Sequence, residues 1–279
     1  MIINHNLAAM NTYNQMGANQ ANSSKNMAKL SSGLRINNAA DDAAGLSISE
    51  KMRAQIRGLD QASRNAQDGI SLLQTAEGGL NEAHSILQRM RELSVQATND
   101  TNISEDRTAI KTELDELATE LETINTRTAF NKQTLLDGKT GDGSGSVTLQ
   151  VGANSKETMV MDFTQKGIDL TAVITDVKGA IDVTDATTTD VMLVAVETAI
   201  QDVSAGRSQI GAYQNRLEHT INNLGTSAQN LTAAESRIRD VDMAKEMMDF
   251  TKNNILNQAS QAMLAQANQS SSAVLQLLR

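Results

Sequence analysis

Cysteine, proline and tryptophan are all absent from this sequence. Without cysteine there is no disulfide framework, no thiolate zinc site and no cysteine nucleophile, and cysteine usage says nothing of the redox compartment. A proline inside a helix costs about 3 kcal/mol, so its absence permits very long uninterrupted helices. Aromatics are scarce too, with two Tyr and three Phe, so Ala, Leu, Ile, Val and thirteen Met supply the apolar surface. Small and flexible side chains suit helix-helix seams better than a thick aromatic core. A net charge of -9 gives no basic footprint for nucleic acid. No stretch reaches eighteen apolar residues, and the first thirty lack a basic start followed by an apolar core. Neither membrane insertion nor a cleaved signal peptide is expected.

Charge is missing locally as well. From Met1 to Ser24 and from Asn253 to Leu278 there is no Asp, Glu, Lys or Arg; Asn, Gln, Ser and Ala fill both ends. A solvated helix carries charge on its outer face, so charge-free ends imply helices surrounded by protein, more of it than one chain of this size supplies. Apolar residues there follow coiled-coil spacing. Ile3, Leu7 and Met10 form one set, Met27, Leu30 and Leu34 another, and Leu256, Ala259, Met263, Ala267, Ser270, Val274 and Leu277 a third. The two ends are expected to pair through these stripes.

Between the ends, residues 41–99 read as helix, with Leu80, Ala83, Leu87, Met90, Ser94 and Ala97 in heptad register. A second helix starts near Ser104, where Glu105 and Asp106 complement its dipole, and a third runs from about Val191 through Ile210, Tyr213, Leu217 and Leu224. The middle changes character. Gly138, Gly141, Gly143 and Gly145 mark a loop, and the alternation in Val147, Leu149, Val151 and Met159, Met161, Phe163 predicts a β-hairpin over about 147–163. Residues 166–190, rich in Thr, Asp and Val, show no long helical register and are expected to form an exposed excursion. The fold class is mainly α: long antiparallel helices in coiled-coil rods, a small β-hairpin and a short variable middle.

Candidate chemistry is thin. His5, His84 and His219 have no second His or Cys at ligand spacing, so no metal or cofactor is expected. Asp41 and Asp42 are adjacent and point apart, which fits helix capping better than acid/base work. The glycine loop lacks the Lys-Ser/Thr ending of a phosphate cradle. A generic coiled-coil protein remains the plainest reading of the heptads, and the charge-free ends favour a polymer.

Five segments resemble bacterial flagellins: SSGLRINNAADDAAGL (31–46), NAQDGISLLQTAEGGL (65–80), NRLEHTINNL (215–224), AAESRIRDVD (233–242) and QANQSSSAVL (266–275). About residues 1–136 and 190–279 are covered. The resemblance implies a non-enzymatic subunit that polymerises into the flagellar filament. It implies an inner coiled-coil domain over 1–40 plus 241–279, a helical shell over 41–190 and 191–240, and an exposed variable segment about 137–190. Filament-core packing would fall to Ile3, Leu7, Met10, Met27, Leu30, Leu34, Leu256, Met263, Val274, Leu275, Leu277 and Leu278. Implied partners are other copies, an export chaperone, a filament cap and hook-filament junction proteins; the implied location is extracellular, reached through the flagellar type III apparatus. QRMRELSV (88–95) looks like the segment engaged by the flagellin-sensing Toll-like receptor, with Arg89, Leu93 and Glu113 as its matching contacts. No His-Glu-x-x-His helix of the enzymatic relatives is present. The competing readings are a hook-filament junction protein and a helical receptor ligand or adhesin; elongation of filament seeds separates a flagellin from both.

Overall fold

Proline-free segments with an apolar residue at every third or fourth position can bury one stripe per helix, and long helices result. The computed structural model describes residues 6–141, 143–183 and 185–277, with backbone alone for 186 and 271–277. In chain order its elements are α1 (Leu7–Ser32), α2 (Ala43–Ala97), α3 (Ser104–Arg127), β1 (Ala129–Phe130), β2 (Gln133–Thr134), β3 (Ser146–Gln150), β4 (Thr158–Asp162), α4 (Leu170–Ala180), α5 (Ala186–Arg239) and α6 (Met243–Leu277). Helix starts are capped by side chains. Asn6 Oδ1 accepts from Ala9 N, Asp42 Oδ1 from Gly45 N and Asp242 Oδ1 from Ala244 N. Asp42 thus caps α2 as expected, whereas Asp41 accepts from the backbone of Asn37 and Asn38 and holds the preceding turn.

The chain divides into two compact units, residues 1–54 with 229–279, and residues 55–228. In the second, the α2 heptad is buried without exception at Leu80, Ala83, Leu87, Met90, Ser94 and Ala97. It meets Ile110, Leu114, Ala118 and Leu121 of α3 and Met192, Val196, Val203, Ile210 and Leu217 of α5 in one core. Ser94 fits there because its hydroxyl donates to Met90 O at 2.8 Å. The hairpin pairs β3 with β4 antiparallel, Val147 opposite Met161 and Leu149 opposite Met159. Its period-two face buries Met159 and Met161, and Tyr213 of α5 accepts from Asp162 N at 3.3 Å.

The segment 166–190 departs from expectation. Leu170, Val173, Ile174 and Val177 are buried on one face of α4, and Ile168, Ile181 and Val183 join the same core. Steps of three and four from Leu170 to Val173, Ile174 and Val177 put the α4 residues on one stripe, so β-branched composition hides a helix that the core stabilises. The segment is part of the packed unit rather than an exposed excursion. Helix α5 likewise begins at Ala186, ahead of the expected Val191.

Two neighbouring glycines in α2 make a test of the packing. A Cβ on Gly79 would meet Thr128 Oγ1 at 2.7 Å and Leu136 Cδ1 at 2.9 Å, whereas one on Gly78 meets nothing within 4 Å. Gly78→Ala is therefore expected to raise the thermal stability of the subunit by about 1 kcal/mol through helix propensity. Gly79→Ala should lower it, because the side chains of Thr128 and Leu136 must be pushed away. Thermal unfolding of the two variants checks the opposite signs.

Candidate assembly surface

The first unit is built where the two ends of the chain meet. Helices α1 and α6 run antiparallel, as the pairing of Asn6 with Ala267, Asn19 with Ser260 and Ser23 with Asn254 requires. Along α1 the covered positions include Ala9, Thr12, Met16, Asn19, Ser23, Asn26 and Leu30, with Lys29 beside them; along α6 they include Glu246, Phe250, Asn253, Asn257, Ser260, Leu264 and Ala267, with Asp249 and Asn254 beside them. Both sets alternate steps of three and four, which is a coiled-coil seam. Its middle is polar. Asn257 donates to Gln20 Oε1 at 3.3 Å, Ser23 Oγ to Asn254 Oδ1 at 3.3 Å, and Asn19 Nδ2 lies 3.5 Å from Ser260 Oγ. Asn26, with its amide nitrogen towards Glu246 Oε1, also accepts from Asn253 Nδ2 at 3.1 Å.

The ends do pair, but through a different stripe from the one the apolar spacing suggests. Leu7, Met10 and Met27 are exposed on α1, and Leu256 and Met263 on α6. Tyr13, Met243, Met247, Met248 and Ile255 are exposed beside them. Of the expected packing residues only Leu30 and Leu34 are partly covered. Ile3 and Leu278 lie outside the described residues, as do the side chains of Val274, Leu275 and Leu277. The reason is physical: two helices bury only one stripe each, and Asn and Ser side chains hydrogen-bond across the middle of the seam, which leaves the apolar stripes facing outward. The seam had a signal in the sequence, the same three-four repeat carried by Asn and Ser, but a search for apolar residues passes over it.

Segments 31–46 and 233–242 meet at the open end of this hairpin. Leu34 bridges Asp240, Arg35 N donates to Arg239 O at 2.7 Å, and Val241 N donates to Gly33 O at 3.1 Å. Gly33, at φ 70°, closes α1 in the left-handed conformation, with its N–H on Lys29 O. The Arg35 guanidinium donates to Ile238 O. Arg53 of α2 pairs with Glu235 of α5 at 2.7 Å. The backbone N–H groups of Asn38 and Asn37 hold the Asp41 carboxyl below its ordinary range. That contribution is present above the usual carboxylate pKa and is lost as pH falls through the depressed folded value.

In the second unit, Arg89 lies on the surface of α2 and donates to Glu113 of α3 at 2.8 Å and to Glu92 at 3.2 Å, and these partners raise its pKa further. Leu93 does not share that surface. It is 2% exposed and belongs to the core, because α2 is packed on more than an a/d stripe: Leu72 and Leu93, off the heptad register, are buried together with it. The structure therefore brings Arg89 and Glu113 together and places Leu93 beneath them. His84 accompanies Gln88 at 3.0 Å, His219 is exposed, and His5 is outside the described residues.

Comparison with known proteins matches residues 3–140 to the family described as the bacterial flagellin N-terminal helical region, and residues 193–278 to the bacterial flagellin C-terminal helical region. The flagellin of Halalkalibacterium halodurans is 62% identical over 279 residues, covering 100% of both chains. The chain belongs to the bacterial flagellins. The flagellin of Bacillus subtilis is 54% identical, again over 100% of both chains. Among solved structures, the crystal structure of Bacillus cereus flagellin is 32% identical with a TM-score of 0.51, covering 62% of this chain and 94% of that one. A provisionally assigned flagellar hook-associated protein of Vibrio parahaemolyticus gives a TM-score of 0.61 at 16% identity, over 72% of this chain and 100% of that one, which is a likeness of fold alone. Sequence thus favours the filament flagellins over the junction proteins where fold does not separate them. Flagellins are a structural protein family, and among the described residues no helix is long and apolar enough to cross a membrane.

Proposed function

We propose that this flagellin polymerises by burying, against neighbouring copies, the apolar faces that α1 and α6 leave outside their polar seam. The carrying observation is the exposure of Leu7, Met10, Met27, Leu256 and Met263 on a hairpin whose own interface has a middle of Asn and Ser. As a flagellin the chain is a structural subunit of the bacterial flagellar filament, the helical propeller for swimming. Its work is assembly rather than catalysis. Copies related by heterologous, non-closing contacts give an open helical tube. Following the family resemblance, residues 1–40 and 241–279 form the inner domain, with Ile3, Leu30, Leu34, Val274, Leu275, Leu277 and Leu278 completing the dry contacts. Each terminal residue ordered costs about 1 to 2 kcal/mol, so growth at an existing tip, where many contacts form together, is favoured over free nucleation. Adding purified subunits to filament fragments tests this: a flagellin lengthens the fragments, and no lengthening overturns the reading.

Export unfolded through the flagellar type III apparatus to the cell exterior accompanies this function, with a chaperone on α6, a cap at the tip and junction proteins at the hook. A second reading concerns the exposed ion pair of Arg89 with Glu113, whose segment resembles the one engaged by the flagellin-sensing Toll-like receptor. Arg89→Ala is expected to lower receptor activation by free subunits while changing stability by less than about 0.5 kcal/mol. Leu93→Ala instead removes a core side chain and costs about 2 to 5 kcal/mol, so it reports packing before recognition. Reporter-cell activation alongside thermal unfolding checks both; unchanged signalling by Arg89→Ala removes the residue from the contact.

A further inference from the structure

The twelve methionines among the described residues differ sharply in exposure between the two units. In the second unit Met90, Met159, Met161 and Met192 are all buried. In the first, six are exposed: Met10, Met27, Met243, Met247, Met248 and Met263, from 48% at Met243 to 67% at Met248. Met16 and Met52 are partly covered. The accessible thioethers therefore lie on the helices that carry the assembly faces, while the second unit's four are shielded by its core.

We propose that these six methionines form an oxidation site through which a peroxide-class oxidant switches the free subunit out of assembly competence. The inference rests on the filament reading above, since it needs those faces to become dry. A lone pair on the methionine sulfur attacks one peroxide oxygen. The S–O bond forms as the O–O bond breaks, the departing hydroxide takes the proton of the transferred hydroxyl, and water leaves. Sulfur is oxidised by two electrons to the sulfoxide and the peroxide is reduced.

The sulfoxide is a strong acceptor where the thioether was apolar and compliant. Of its apolar neighbours on the exposed faces, Leu7, Ile255 and Leu256 offer no side-chain donor, and Tyr13 offers a single hydroxyl. The amides of Asn19 and Asn257 already donate across the seam to Ser260 and Gln20. Helix backbone N–H groups are engaged within the helices. A sulfoxide sealed among Leu and Ile side chains of another copy is a buried acceptor short of donors, which opposes the contact. Because the second unit's methionines are shielded, a mild dose alters the assembly faces and leaves that unit folded. Assembly in turn protects the site, so oxidation selects against free subunits rather than finished polymer.

The test treats the full chain with dilute hydrogen peroxide, free and in filaments, and follows each methionine by peptide mass spectrometry together with seeded elongation. In free subunits the six are expected to oxidise about tenfold or more faster than Met90, Met159, Met161 and Met192, and assembly should slow them by about the same factor. Oxidised subunits should lengthen seeds at least about tenfold more slowly, and methionine sulfoxide reductase should restore the rate. A variant with all six replaced by Leu should elongate equally before and after peroxide. Elongation unaffected by oxidation of the six, loss that the reductase does not reverse, or equal oxidation in filaments and free subunits overturns the proposal. If the Leu variant does not assemble, reductase rescue of the parent chain decides. Failure of untreated subunits to lengthen seeds is a separate result that removes the filament reading itself.

Discussion

Subunits carrying Leu7→Asp or Met263→Asp are expected to unfold at the parent temperature and to fail to lengthen filament seeds. Both side chains are more than half exposed in the subunit, 57% and 59%, so a carboxylate there stays solvated and changes stability by no more than about 0.5 kcal/mol. In the polymer the same carboxylate would be buried without a partner, at several kcal/mol for each copy added. Removing residues 1–36 or 245–279 should have the same consequence for assembly, since each deletion takes away one half of the α1–α6 hairpin. The core of residues 55–228 does not draw on either segment and should keep its helical signal. Seeded elongation followed by sedimentation, with circular dichroism on the same samples, separates loss of contact from loss of fold. Filaments of ordinary length from either Asp variant would mean that these stripes face solvent in the polymer as well.

The polar seam leads to the opposite experiment. Asn257 is buried at 8% exposure and its Oδ1 has no partner, and Asn19 reaches Ser260 only at 3.5 Å. Replacing both by Leu exchanges weakly satisfied amides for apolar volume of similar size, worth about 1.5 to 3 kcal/mol for each side chain fully buried. Free subunits of Asn19→Leu/Asn257→Leu should then show amide exchange in α1 and α6 slowed by about a hundredfold or more. Unchanged exchange would show that the seam contributes little to holding the two helices together. The comparison also explains what the amides are for. A seam of Leu would compete with the outer stripes for the same helix face, whereas hydrogen-bonding pairs fix one register and keep the apolar stripes out of it.

How far these features could be read beforehand depended on which physical signal each one carried. The α2 heptad from Leu80 to Ala97 combines apolar residues with an unbroken repeat, and every member is buried. The hairpin announced itself through strict alternation around Met159 and Met161, and pairs in that sense. Helix α4 was hidden because Val173, Ile174 and Val177 are β-branched and sit among Thr and Asp, so local preference opposes the helix that tertiary burial selects. Leu93 was misplaced because four-residue spacing from Arg89 puts two residues on neighbouring azimuths without saying where the covered arc ends. That arc is widened by the second neighbour of α2, which no single helix reveals. At the chain ends the apolar spacing gave no sign that Asn and Ser line the middle of the α1–α6 contact while Leu7, Met10, Met27, Leu256 and Met263 stay exposed.

The α1–α6 seam also dictates an order of events. Among the described residues its outermost hydrogen bond joins Asn6 to Ala267, a separation of 261 residues. Closing a flexible loop of that length carries an entropic penalty of roughly 5 kcal/mol before the first seam contact forms. The helices of residues 55–228 have shorter loops to close, 137 residues between Glu77 and Gln214, and can collapse while the last residues are still arriving. A chain delivered from one end cannot zip this hairpin until its final segment is present. Completion of the seam is then the slow, late step, and it doubles as a check that the whole chain has arrived.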